Sequence, residues 1–283
     1  MKLLVTGATG QLGSLVVEHL LKKVPVENIV VSVRDPKKAE HLKEAGIEVR
    51  QGDFHHPESL VSTFKGIDRL LIISTADGDR VKQHTAAVNA AKEANVQLIA
   101  YTSVVNATKS QLVLAQDHAK TEEVILASGI PYSFLRNNWY LENEADIIQA
   151  SLNAAPFLTP IGDGKVGWAT RRDYAEAAAN VLAGEGHENT VYELSGPLLT
   201  HDELAVIIRE VSGKDITVQH VDVETYGDIL ANNGVPQEAV PFVKAIQSGI
   251  REGALAVESS DFEKILEHQL TPLQEGIRRI ISK

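Results

Sequence analysis

The sequence predicts an α/β fold, a parallel sheet with helices on both faces, and three features of the 283-residue chain predict it. Short β-branched runs alternate with helical stretches through the first half. Those runs are apolar nearly throughout, as strands buried on both faces must be. The first run is followed at once by a glycine-rich turn and an amphipathic segment. In chain order, strands are expected at 2–6, 29–33, 47–51, 69–73, 97–102 and 132–136. Between them, Val16, Leu20 and Leu21 form one apolar stripe at helical spacing, and Ala86, Ala87, Ala90, Ala91 and Ala94 form another. The crossovers joining parallel strands are expected to be right-handed.

After Arg136 the rhythm changes. Asn137-Asn138 and then Pro156, Pro160, Gly162, Gly164 and Gly167 mark loops. Further strands are expected at 191–194 and 217–221. Thr200 and Glu203 have capping-box spacing, Asp173 reads as the cap of the helix behind Thr170-Arg171-Arg172, and Thr271-Pro272 reads as a helix start. The expected organisation is a sheet domain over 1–136 and a smaller mixed α/β lobe over 137–283, with some of its segments returning to the main core. Neither an internal repeat nor a low-complexity tract interrupts it.

Composition excludes several function classes. With no cysteine there is no disulfide framework, zinc-thiolate site or cysteine nucleophile, and a reducing compartment, the cytoplasm, is expected. The apolar run Leu3-Leu4-Val5 is too short for a signal peptide, and no stretch is long enough to span a membrane. A net charge of -11 and 5% aromatic residues argue against a nucleic-acid surface. The histidines have no ligand-like spacing, so no metal is expected.

The most informative segment is Thr6-Gly7-Ala8-Thr9-Gly10-Gln11-Leu12-Gly13, between the first strand and the first helix. At that position a strand must turn sharply, bring backbone N–H groups close to a pyrophosphate and open a helix whose N-terminus favours anions. The fold is thus a Rossmann-type doubly wound sheet, and Gly7, Ala8, Thr9, Gly10, Gln11 and Leu12 are candidate cofactor-binding residues. The glycines are spaced three and three, and no Gly-Lys-Ser/Thr follows, so the turn is not a nucleoside-triphosphate P-loop. It resembles the turn of extended and atypical short-chain dehydrogenases/reductases, and Gly-Ala-Thr-Gly-Gln-Leu-Gly is close to that of the NmrA-like group.

Arg34 follows the second strand where an NAD-specific site would carry an acid. A guanidinium there suits a 2′-phosphate, and Lys37 and Lys38 raise the local potential, so NADP(H) is expected, with NAD(H) as the alternative. Asp35 reads as a helix N-cap. The resemblance implies that Asp53, beside Phe54, faces the adenine amino group; a plain turn is the alternative. Ser74 and Thr75, after the fourth strand, and Thr102 and Ser103, in and after the fifth, lie at the carboxyl edge where ligands bind.

Further stretches extend the resemblance along nearly the whole chain: Val33-Arg34, Ala100-Tyr101-Thr102-Ser103, Leu135 through Tyr140 with Asn143, Gly162-Asp163-Gly164-Lys165 and Ala169-Thr170-Arg171. They resemble the type 2 NAD(P)H:quinone oxidoreductases and the related triphenylmethane dye reductases. The resemblance implies NADPH-dependent two-electron reduction of a quinone or similar flat, conjugated small molecule.

The residues support part of this independently. A standard short-chain dehydrogenase uses Tyr-x-x-x-Lys, but here the six tyrosines are followed four positions on by Val105, Arg136, Glu144, Ala178, Gly196 and Leu230. Alcohol oxidation and epimerisation lose their usual acid-base group, whereas a quinone takes hydride into a system that disperses the resulting charge. No catalytic residue is assigned; His118, Lys120 and Tyr140 are weak candidates, each also readable as an ordinary structural residue. For substrate, Asn137, Asn138, Trp139, Tyr140 and Asn143 follow the sixth strand, with Trp139 and Tyr140 able to stack on a planar acceptor or to pack in the core. The resemblance adds Thr170 and Arg171, for which helix capping is the alternative. The competing functional readings are a non-catalytic NADP(H)-sensing regulator of the NmrA-like type and a reductase of dyes or enones. The chain is expected to be a monomer or a homodimer.

Overall fold

The structure, a computed structural model, describes residues 1–75 and 78–282. The first half alternates strands and helices: β1 (Leu3–Thr6), α1 (Gln11–Leu20), β2 (Ile29–Val33), α2 (Glu40–Glu44), β3 (Glu48–Gln51), α3 (Leu60–Phe64), β4 (Arg69–Ile72), α4 (Arg80–Glu93), β5 (Leu98–Val104), α5 (Ala115–Ser128) and β6 (Tyr132–Asn137). The second half is more mixed: β7 (Trp139–Tyr140), α6 (Ala145–Leu152), β8 (Phe157–Thr159), β9 (Val166–Ala169), α7 (Arg171–Ala183), β10 (Thr190–Leu194), β11 (Leu198–Leu199), α8 (His201–Ser212), β12 (Val218–His220), α9 (Val223–Asn232), α10 (Val240–Arg251), α11 (Asp261–Leu266) and α12 (Leu273–Ile281).

Seven strands form one sheet in the order β10-β6-β5-β4-β1-β2-β3, and every pairing in it is parallel. This is the doubly wound arrangement that the alternation predicts. Alternate side chains of a strand enter opposite layers. Leu3 and Val5 join α1, α7 and α11 on one face, while Leu4 joins α3, α4 and α5 on the other. The strand β5 runs two residues past its expected end at 102, because β6 continues to pair with it through Ser103↔Arg136 and Val104↔Asn137.

Three segments beyond 136 return to this sheet, one of them α11, whose Phe262, Ile265 and Leu266 join the α1 layer. The strand β10 adds to its edge beside β6, and α7 packs against α1. The remaining elements form a separate apolar layer around Trp168, Phe157, Leu204, Ile250 and Ile277. It carries a small sheet, β11-β9-β7, and the pair β12-β8. The Thr200–Glu203 capping box forms as its spacing predicts. At α7 the cap differs from expectation: Thr170 is the N-cap, and Asp173 sits three residues in as the reciprocal acid of a second capping box. The Asp173 carboxylate also accepts from the hydroxyl of Thr271 at 2.7 Å, tying α7 to the C-terminal segment. Among the described residues no helix is long and apolar enough to cross a membrane.

A buried ionic network joins the half-sheet that borders the site. The Glu122 carboxylate on α5 accepts from the Ser103 hydroxyl at 2.6 Å and from the Arg136 guanidinium at 2.9 and 2.7 Å. Arg136 donates onward to Glu193 at 2.8 Å, whose other oxygen accepts the Asn106 N–H at 2.8 Å. Removing Glu122 takes away two of the guanidinium's three carboxylate bonds and leaves the Arg136 charge, 11% exposed, with Glu193 alone. Glu122→Ala is therefore expected to lower unfolding free energy by about 3–5 kcal/mol in urea titration. A loss under about 1 kcal/mol would show that water reaches Arg136 freely.

Candidate active site

The strand order reverses between β1 and β4. The chain leaves β1 toward the α1 face and β4 toward the α4 face, which opens a crevice at the carboxyl edge. A cleft of about 640 Å³ occupies that place. Of the predicted cofactor residues it brings together Gly7, Thr9, Gly10, Arg34, Asp53, Phe54, Ser74 and Thr75. Thr6, Ser14, Lys38, His41 and Gln83 also line it, residues the glycine motif alone does not reveal.

The glycines shape the end of the cleft at α1. Gly7 has φ +61°, and its carbonyl accepts the Gly10 N–H at 2.9 Å, closing the turn. A Cβ on Gly13 would stand 2.3 Å from the Gly7 carbonyl oxygen and 2.8 Å from the Ala8 Cα, so only glycine lets α1 sit so close to the turn. Gly10 is the N-cap of α1, with no side-chain cap and no acid in the first turn. The helix thus opens with its positive end uncovered, and the turn has the close backbone approach that a pyrophosphate requires. The side chains of Ala8 and Leu12 are buried in the core, so these residues can offer a ligand only their backbone. Gln11 is exposed and does not border the cleft.

At the other wall, exposed Arg34 and Lys38 present positive charge. Asp35 serves the local backbone, its carboxylate accepting the Lys37 N–H at 3.0 Å as N-cap of the short turn Pro36–Ala39. Asp53 is likewise engaged in a turn, accepting the His55 N–H at 3.0 Å. Its neighbour Phe54 lies on the wall.

Beyond β4, the Ser74 N–H donates to the Thr102 hydroxyl oxygen at 2.9 Å. Thr102 and Ser103 are buried behind the cleft surface, Ser103 in the Glu122 network. The structure does not bring Lys120 to the cleft; it is exposed on α5. His118 is buried, with its Nδ1 accepting from the Tyr101 hydroxyl at 2.8 Å. Burial, reinforced by Arg80 and His84, holds its imidazole down to about 3, so it stays neutral at ordinary pH.

Four of the predicted substrate residues meet in one group after β6. The Tyr140 hydroxyl oxygen accepts from Asn137 Nδ2 at 3.0 Å, and the Arg171 guanidinium lies over the Tyr140 ring, 5.0 Å from its centroid. Arg171 donates to Asn143 Oδ1 at 3.5 Å. Burial raises the Tyr140 phenol above its usual range, keeping it protonated. The others are held in structural contacts. Asn138 donates to the Ser195 hydroxyl at 2.9 Å and the Leu255 carbonyl at 2.8 Å, Thr170 caps α7, and Trp139 donates to Glu144 at 3.1 Å. Among the described residues no cluster of three or more His, Asp or Glu side chains could hold a metal ion. The arrangement can hold a dinucleotide along the edge, with pyrophosphate at α1 and the 2′-phosphate end at Arg34.

Comparison with known proteins agrees with this geometry. Quinone oxidoreductase 2 of Escherichia coli is 41% identical over 280 residues, covering 98% of each chain. The structure of an NADPH-dependent quinone oxidoreductase from E. coli, complexed with NADPH, superposes with a TM-score of 0.95 at 40% identity, covering 99% of each chain. That of Citrobacter sp. triphenylmethane reductase, complexed with NADP(H), gives 0.94 at 42% identity, covering 99% of this chain and all of the other. Residues 1–260 match the NmrA-like family, and with the glycine turn and crevice in place the chain belongs to that family.

Proposed function

We propose that this protein is an NADPH-dependent oxidoreductase that passes hydride to a quinone or a similar planar, conjugated acceptor. The observation that carries the reading is the cleft itself. An uncapped helix end lies behind Gly7 and Gly10 at one side, and Arg34 and Lys38 stand at the other, on a chain of net charge -11. The names of its relatives add the acceptor class, since they reduce quinones or triphenylmethane dyes using NADP(H). When bound, the nicotinamide supplies the hydride; one proton from solvent completes reduction of a quinone to a quinol.

The chain's own groups bind and orient. The first-turn amides of α1 and the Gly7–Gly10 turn hold the pyrophosphate, and Arg34 with Lys38 takes the 2′-phosphate. Ser74 and Thr75 bound the cleft toward the nicotinamide end. We assign the acceptor side to Asn137, Tyr140, Asn143 and Arg171, where the Tyr140 hydroxyl, already accepting from Asn137, keeps a proton to donate to an acceptor oxygen. His118 takes no part in proton transfer, because its buried neutral ring already accepts from Tyr101. The cytoplasm, where NADPH and reduced thiols prevail, is the compartment we assign.

Two measurements test this reading. Arg34→Glu is expected to shift the kcat/KM ratio of NADPH to NADH by about 100-fold toward NADH, by removing a charge-assisted contact and adding repulsion. An unchanged ratio removes Arg34 from the 2′-phosphate site. Second, steady oxidation of NADPH is expected with benzoquinone, naphthoquinone and a triphenylmethane dye in a spectrophotometric panel. Tight NADPH binding without turnover on any of them would identify a sensor in place of an enzyme.

A further inference from the structure

We propose that Arg80 and His84, one turn apart on α4, clamp Thr75 by its backbone N–H and carbonyl and so act as positioning residues for the dinucleotide. This rests on the reading of the cleft as an NADPH site. Past the end of β4 the neighbouring strands no longer supply carbonyl acceptors, yet three successive N–H groups remain bonded. The Ile73 N–H donates to the Thr6 hydroxyl oxygen at 3.0 Å, the Ser74 N–H to the Thr102 hydroxyl oxygen at 2.9 Å, and the Thr75 N–H to His84 Nε2 at 3.2 Å. Side chains from β1, β5 and α4 thus extend the sheet's hydrogen bonding into the segment that forms the cleft wall. At the other end of the same residue, Arg80 Nε donates to the Thr75 carbonyl at 2.7 Å. Residues four apart share one helix face, which lets α4 grip both polar groups of a single residue.

His84 can act in this way only in one form. Accepting at Nε2 leaves the ring proton on Nδ1, which donates to the Thr121 hydroxyl oxygen at 3.0 Å, and Thr121 donates in turn to the Asp117 carbonyl at 2.8 Å. The Tyr101 hydroxyl donates to His118 at 2.8 Å, so at 3.5 Å from His84 Nδ1 its oxygen can only accept, which agrees with a proton on that nitrogen. The imidazole is fully buried, and burial, with Arg80 adding to it, holds it down to about 4. It remains an acceptor at neutral pH. Its ring also meets Phe54 edge to face at 6.2 Å, so one histidine touches both the Phe54 and the Thr75 walls of the cleft. Arg80 is anchored from behind by Asp117 at 3.9 Å.

Three variants test the clamp, using NADPH binding by fluorescence, steady-state kinetics and thermal melting. His84→Phe keeps a ring against Phe54 but removes the acceptor, and is expected to raise the Kd and KM for NADPH by about 10-fold, with kcat at saturation and the acceptor KM within about 2-fold. His84→Gln, which offers an amide oxygen near the Nε2 position, is expected to bind NADPH within about 3-fold of wild type. Arg80→Met, which leaves the histidine in place, is expected to raise the NADPH KM by about 3-fold or more and keeps the test open should His84→Phe not fold. Folded His84→Phe or Arg80→Met binding NADPH like wild type would overturn the clamp, as would equal impairment of His84→Phe and His84→Gln, since an acceptor put back at that position would then restore nothing. Failure of wild type itself to bind NADPH would overturn the reading of the site, and the clamp with it.

Discussion

The closeness of α1 to its own turn is the constraint on which the rest of the molecule depends. A methyl group at Gly13 would press on the Gly7 carbonyl and the Ala8 backbone, so the helix axis is set by backbone contact and not by interlocking side chains. Held there, α1 directs its uncapped end at the crevice and turns Val16, Val17 and Leu20 into the layer shared with α7. Since α7 comes from beyond residue 170, the same close packing couples the glycine turn to the part of the chain that carries Arg171. One steric condition thus serves both the ligand end and the tertiary frame.

The buried polar groups follow a second rule, that loops leaving the sheet are held by side chains where strand partners run out. Thr6, Thr102 and His84 do this after β4, and the Glu122–Arg136–Glu193 network does it after β5 and β6, reaching the Asn106 N–H beyond β5. Such bonds are costly to leave unmade in a dry interior, which gives these loops defined positions without making them part of the sheet. A site built on them is preorganised, and a bound dinucleotide need not order its own walls.

What could be read from the sequence divides along the same line. Each of the six strands of the first half appears within two residues of its expected bounds, the polar edge strand β3 included. The glycine turn and Arg34 are local in sequence, so their meeting in one cleft follows once the sheet is drawn. The small sheet β11-β9-β7 was not legible, because two of its strands have two residues and no periodicity. Asp173 could be recognised as a cap but not as the acid that also bonds Thr271, 98 positions away. His84 carries only a faint signal: it falls on the buried face of an alanine-rich helix with Ala87, Val88 and Ala91. Spacing predicts that it is inside, while the Thr75 N–H that it meets is fixed by tertiary structure alone.

The lack of Tyr-x-x-x-Lys takes on meaning from where the remaining groups lie. Tyr101 lies on β5 with its hydroxyl directed to His118, both buried, and Lys120 points to solvent from α5, so neither imitates a tyrosine-lysine pair from a new position. A reaction that must create an alkoxide in its hydride step would find little here to protonate it. Hydride addition to a quinone carbon is different: the charge that develops on oxygen is delocalised as the ring becomes aromatic, so the barrier is lowered chiefly by alignment and by a polar partner at that oxygen. In the proposed reading, the Tyr140 hydroxyl, which accepts from Asn137, and the Arg171 guanidinium over its ring are the polar groups assigned to that oxygen. The missing acid-base pair therefore narrows the chemistry to acceptors that supply much of their own stabilisation.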